Sequence, residues 1–169
     1  MSTSTTIVKI IAIASATAAF AAPLAVVTAA PAHAAPQYTR GDFDGDGRAD
    51  RAVFRPSTGQ WFTKGQNTTQ YGTQGDIPVP ADYDGDGKAN KSVFRPSTGQ
   101  WFIRGVDTIE YGHVGDIPVP ADYNGDGKDD RAIFRPSTGQ WFIKGLNTVT
   151  YGVAGDIPVF RPVGMNSTG

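Results

Sequence analysis

From residue 41 onward the chain consists of short apolar runs set between clusters of Gly, Pro, Asp, Asn and Ser. Arg51 to Arg55, Trp61 to Lys64 and Thr68 to Tyr71 read as short β-strands, divided by the turn signals Pro56-Ser57-Thr58-Gly59 and Gly65-Gln66-Asn67. A fourth extended piece runs from Ile77 to Tyr83, where Pro78 and Pro80, which cannot donate to a ladder, suit an edge position. The whole pattern spans 41 to 80 and recurs at 81 to 120 and 121 to 160 without insertions, the second and third copies agreeing at 26 of 40 positions. Each copy therefore predicts one supersecondary unit. Glu occurs once and Leu twice, against 21 Gly and 12 Pro, so little of the chain suits long helix.

Four short strands per forty residues fit a blade of the propeller type, and the expected fold is all-β, made of three such β-repeats. Propellers close with about four to eight blades, so three cannot make a ring alone. Ile157-Pro158-Val159-Phe160 is a further copy of the edge strand with no loop after it, available to close a ring or to pair with a neighbour. The alternative is a β-trefoil, which closes three units of this length within one chain.

Residues 1 to 34 differ in kind. Lys9 is their only charge, an apolar stretch runs from Ile10 to Ala30, and Ala32-His33-Ala34 has the small-x-small form of a cleavage site. They read as a secretory signal peptide, with a β-repeat domain over 35 to 169. An uncleaved membrane anchor is opposed by Pro23 and the cleavage pattern, so the expected product is secreted, extracellular and without membrane attachment. The net charge of −1 offers no basic surface, which excludes nucleic acid as a partner. With no Cys there is no disulfide framework and no thiolate chemistry, so any staple must be something else.

Each repeat opens with Asp-x-Asp/Asn-Gly-Asp-Gly-x-x-Asp/Asn, at 42 to 50, 82 to 90 and 122 to 130. Ten of the 16 acidic residues occupy positions 1, 3, 5 and 9 of these loops. Carboxylates at positions 1, 3 and 5 converge when the backbone coils tightly, and Gly at position 6 permits the sharp turn an oxygen cage needs. Calcium suits such a cage outside a cell, with position 7 offering its carbonyl. An EF-hand would carry Glu at position 12, where this chain has Val53, Val93 or Ile133, so the shorter cage closes at position 9.

These loops, followed by runs such as Ala52-Val53-Phe54-Arg55-Pro56-Ser57-Thr58-Gly59-Gln60-Trp61, resemble the FG-GAP or VCBS repeats of secreted bacterial proteins over residues 41 to 160. The resemblance implies propeller blades related to those of integrin alpha chains, each holding calcium through the first, third, fifth and ninth loop residues and the seventh carbonyl. Carried over, these are Asp42, Asp44, Asp46, Arg48 and Asp50; Asp82, Asp84, Asp86, Lys88 and Asn90; and Asp122, Asn124, Asp126, Lys128 and Asp130. About three calcium ions are expected. Two departures are Asn90 in place of an acid and a repeat count below a complete propeller.

Trp61, Trp101 and Trp141 suit either sugar stacking or packing between units, and packing is the expectation for a Trp beside a Phe in a short strand. Arg55, Arg95 and Arg135 suit either an anionic ligand or pairing with Asp76, Asp116 and Asp156, and the pair is the expectation. Arg40-Gly41-Asp42 spells an integrin-binding tripeptide, but Asp42 is committed to a loop. His113 has Thr73 and Val153 as its counterparts and no triad around it, so no catalytic residue is assigned and the chain is not expected to be an enzyme. The expected function is a secreted calcium-binding module for a glycan or protein ligand. The alternatives are an assembly module that completes a propeller as a homodimer, and a hydrolase.

Overall fold

The computed structural model describes residues 40–159, all within a compact unit spanning Ala34–Gly169. The signal peptide expected over 1 to 34 and the end of the third repeat at Phe160 lie outside the described residues.

The described chain is all-β: eleven short strands form three antiparallel sheets. The first sheet has the order β1-β2-β3, from Ala52–Arg55, Gln60–Thr63 and Thr69–Gln70. The second has the order β4-β5-β6-β7, from Ile77–Pro78, Ser92–Arg95, Gln100–Ile103 and Asp107–Glu110. The third, β8-β9-β10-β11, uses Ile117–Pro118, Ala132–Arg135, Gln140–Ile143 and Val149–Thr150. Among the described residues no strand of one sheet is hydrogen-bonded to a strand of another.

The strands fall where the apolar runs place them, but the sheets do not coincide with the sequence repeats. Ile77 faces Phe94 and Pro78 faces Val93, so the edge strand ending one repeat pairs with the first hairpin strand of the next. The third sheet repeats this, with Ile117 on Phe134 and Pro118 on Ile133. A proline-bearing strand is stable here because only one of its sides enters the ladder.

In each hairpin a cross-strand aromatic pair sets the packing: Phe54 on Trp61, Phe94 on Trp101 and Phe134 on Trp141, with ring centroids 5.1, 5.3 and 5.2 Å apart. The turn before the second strand closes through the amides of Thr58 and Gly59 on the Arg55 carbonyl, at 3.1 and 2.8 Å, and is repeated in the other copies. Gly59, at φ 69°, lies so close to the Gly72 carbonyl that a Cβ would collide with it; Gly99 and Gly139 stand in the same relation to Gly112 and Gly152. The middle sheet is covered on both faces. Val79, Tyr83, Phe94, Trp101 and Ile103 form a core that takes in Ile133 from the third sheet, while Val119, Ala132, Phe134 and Ile143 form a second.

Candidate metal centre

Each acidic loop is closed at its base by the backbone, the amides of Asp50, Asn90 and Asp130 donating to the carbonyls of Gly41, Ala81 and Ala121 at 2.8 Å. The position-1 carboxylate then folds the chain around itself. Asp42 Oδ1 accepts from the Gly45 amide at 2.6 Å and Oδ2 from the Gly47 amide at 2.8 Å. Asp82 does the same with Gly85 and Gly87 at 2.7 and 2.9 Å, and Asp122 with Gly125 and Gly127 at 2.6 and 3.0 Å. Such tight Asx turns need a left-handed residue, and Gly47 at φ 83° supplies it.

The remaining acids extend the coil. Asp44 accepts from the Asp46 amide at 3.0 Å, and Asp46 from the Arg48 amide at 2.8 Å. The amides of Lys88 and Lys128 reach Asp86 and Asp126 in the same way, both at 2.9 Å. At position 9, Asp50, Asn90 and Asp130 accept from the amides of Phe43, Tyr83 and Tyr123 at 2.9, 2.9 and 3.0 Å.

Two groups of carboxylates converge. Oxygens of Asp42, Asp44 and Asp50 lie within 4.8 Å of one another, as do those of Asp82, Asp84 and Asp86. Two oxygens on opposite sides of a calcium ion are about 5 Å apart, from bonds of roughly 2.3–2.6 Å, so either triad fits one hard cation. Both can hold a metal ion. Asp46 stands outside the first triad. In the second, the side-chain amide of Asn90 donates to Asp84 at 3.2 Å instead of adding a charge. The third loop brings together no acidic triad, because position 3 is Asn124, whose amide turns to Asp130 at 3.3 Å. The side chain of Lys88 lies over Gly45 of the preceding loop and that of Lys128 over Gly85, so the position-7 residues also link neighbouring loops.

Burial pushes the Asp42 carboxyl up, but backbone donation from Gly45, Gly47, Asp44 and Asp46 outweighs it and holds the group below the usual carboxylate range. Asp122 is held low chiefly by the Gly127 amide, against desolvation and with further help from Gly125. Backbone donation thus favours the ionised form of both carboxylates.

Sequence reading passed over Asp129, at a position where the other copies have Ala49 and Ala89. Its amide donates to the Asp82 carbonyl at 2.6 Å and its carboxylate accepts from the Asp82 amide at 3.0 Å, clasping the second loop to the third. Burial raises its carboxyl, opposed by the Asp82 amide and by Arg40. The available signal was a lone acid breaking the repeat.

Most of the tempting residues outside the loops are engaged within the fold, while Arg55 meets no carboxylate among the described residues. Trp61 and Trp101 are buried, each donating through Nε1 to a carbonyl, of Tyr71 and Tyr111, at 2.8 Å. Arg95 makes a two-pronged bond to Asp76 at 2.8 and 3.0 Å, and Arg135 to Asp116 at 2.8 and 2.9 Å. Arg40 donates to the Pro120 carbonyl at 3.3 Å while Asp42 is buried, so the tripeptide they bracket is not presented as an open loop. His113 is exposed and its ring meets only Arg135 and Asp116 among the described residues. Compared with known protein families, with curated proteins and with solved structures, the chain matches none.

Proposed function

We propose that this chain is a secreted, calcium-binding β-repeat module of the FG-GAP or VCBS type, made of propeller-type blades, whose task is binding rather than catalysis. The observation that carries the reading is the pair of carboxylate triads in the acidic loops of the first two repeats, at loop positions 1, 3 and 9 and at 1, 3 and 5. Asp42, Asp44 and Asp50, and Asp82, Asp84 and Asp86, would hold the ion. Calcium there supplies the positive charge that offsets repulsion among crowded carboxylates. The third loop is a weaker site with Asn124 in place of a charge. Separate four-stranded sheets in series favour blades over a trefoil, which would merge its units around one axis. Burial of Trp61 and Trp101 leaves only Trp141 of the three partly accessible, which weighs toward a protein ligand over a glycan.

Calorimetric titration of the purified, metal-free protein with calcium tests the reading. Two tighter sites and a weaker third are expected, and Asp84→Ala should remove one of the tighter two. No calcium uptake would overturn it.

A further inference from the structure

The two internal junctions between sheets are built alike. At the first, Asp76 clasps Arg95, Ile77-Pro78 lies along the edge of β5, and the Val79 amide donates to the Ser92 carbonyl at 2.9 Å. At the second, Asp116 clasps Arg135, Ile117-Pro118 lies along β9, and the Val119 amide donates to the Ala132 carbonyl at 2.8 Å. In both, the acidic loops stack too, Ala89 donating to the Asp42 carbonyl and Asp129 to that of Asp82, at 2.5 and 2.6 Å.

Each half of this junction occurs once more without its counterpart. On the first sheet, β1 has no strand on its outer edge among the described residues and borders a groove of about 500 Å³ lined by Val53, Phe54, Trp61 and Pro78. Val53 is 63% exposed, where its equivalents Val93 and Ile133 are 1% exposed. Arg55 rests on the Phe62 ring and meets no carboxylate among the described residues. On the third repeat, Asp156 meets no cation among the described residues, Ile157 to Val159 form no strand, and Val159 is 87% exposed against 1% and 0% for Val79 and Val119. Asp122 is exposed where Asp42 and Asp82 are buried.

We propose that these halves join between two copies of this chain: residues 156 to 159 of one copy add to the outer edge of β1 in the other, with Asp156 clasping Arg55 of that second copy. The fit is one the fold already makes twice internally, with the same residue types at the same register, so charge and shape are complementary by construction. Val159 lines the same groove in its own chain, but Arg55 and Asp156 form no pair there among the described residues. Forty positions before Asp76 to Val79 the sequence reads Pro36-Gln37-Tyr38-Thr39, without a carboxylate. The contact is head-to-tail, and two copies closing on each other assemble six sheets, inside the range of about four to eight that closes a ring.

The test is a charge swap read by sedimentation velocity, with and without calcium. The wild-type protein should sediment as a dimer. Arg55→Glu faces Asp156, and Asp156→Arg faces Arg55, so each variant alone should be monomeric, with its dissociation constant raised roughly tenfold or more by like-charge contact. Both positions are exposed, and unchanged circular dichroism will show that folding is intact. In a mixture of the two variants, the substituted residues meet each other at one junction with their charges exchanged, and the native Arg55 and Asp156 meet at the other. The mixture should therefore recover the dimer mass. A monomeric wild-type protein at its highest soluble concentration overturns the proposal, as does a dimer that neither variant weakens. Calcium uptake measured on the same samples keeps this outcome separate from that of the metal reading.

Discussion

Identical residues in this chain meet different fates. Asn124 replaces the Asp of positions 44 and 84, and its amide donates to Asp130 where an acid would add a charge. Asn124→Asp should therefore tighten the weakest site, because carboxylate count tunes calcium affinity; calorimetry should show a third binding step moving toward the first two. A second residue-scale effect is at Tyr123, whose hydroxyl donates to the Val119 carbonyl at 2.8 Å. Burial pushes this phenol up to about 12 from an ordinary value of 10.0, Arg40 opposing the rise and Asp130 assisting it. The folded state holds the proton more tightly than the unfolded one. The resulting stabilisation is fully present below pH 10 and is lost as the pH climbs toward about 12. Absorbance titration should resolve a late tyrosine ionisation, and a Tyr123→Phe variant should lose that step. The identities and spacing of the loop residues were legible in the sequence, whereas the bond from Asn124 to Asp130 and the clasp by Asp129 depend on where side chains point once the loops stack.

The strands themselves are short, and their hold comes from turns and from the clasps between neighbours. Arg95 and Arg135 each satisfy a buried carboxylate, while Arg55 meets none among the described residues. Removing Arg95 leaves Asp76 buried and unpaired, so Arg95→Ala should cost about 2–3 kcal/mol, with the partial exposure of the guanidinium keeping it below the cost of a fully buried pair. Arg55→Ala should stay within about 0.5 kcal/mol in the monomer, as for an ordinary surface change. Denaturant melts of both variants check the contrast. At the hairpin turn, Gly99→Ala forces an L-residue to φ 68° and drives a Cβ into the Gly112 carbonyl. The expected loss is about 2–5 kcal/mol, from left-handed strain plus the clash. Strand and turn positions follow closely from the apolar runs and the Pro-Ser-Thr-Gly signals. β7 is longer than β3 or β11, and its first residue, Asp107, where the other repeats have Asn67 and Asn147, pairs with Arg131 of the following repeat. That pairing joins residues 24 apart and has no local signature.

At the scale of the molecule, stability and closure both depend on what covers the repeats. Under the calcium reading, a cation bound only to the native state adds about 2.7 kcal/mol per site at a hundredfold excess over its dissociation constant. Chelation should then lower the melting temperature by about 10 °C for each site it empties, with the larger fall at low salt, where carboxylate repulsion is least screened. Identical melts with chelator and with calcium would contradict it. The sequence by itself determined the all-β class, the forty-residue period, the strands and turns within it, and the acidic coil that opens each copy, because these follow from backbone preferences and side-chain chemistry within a few residues. Only the tertiary structure decided that each four-stranded sheet straddles two repeats, that Asp76 belongs to Arg95 and Asp116 to Arg135, and that Val53 and Val159 are left uncovered while their equivalents are sealed. A repeated sequence gives every copy the same contacts to offer. Burial is conferred by the neighbour on either side, and among the described residues the first and third sheets each lack one.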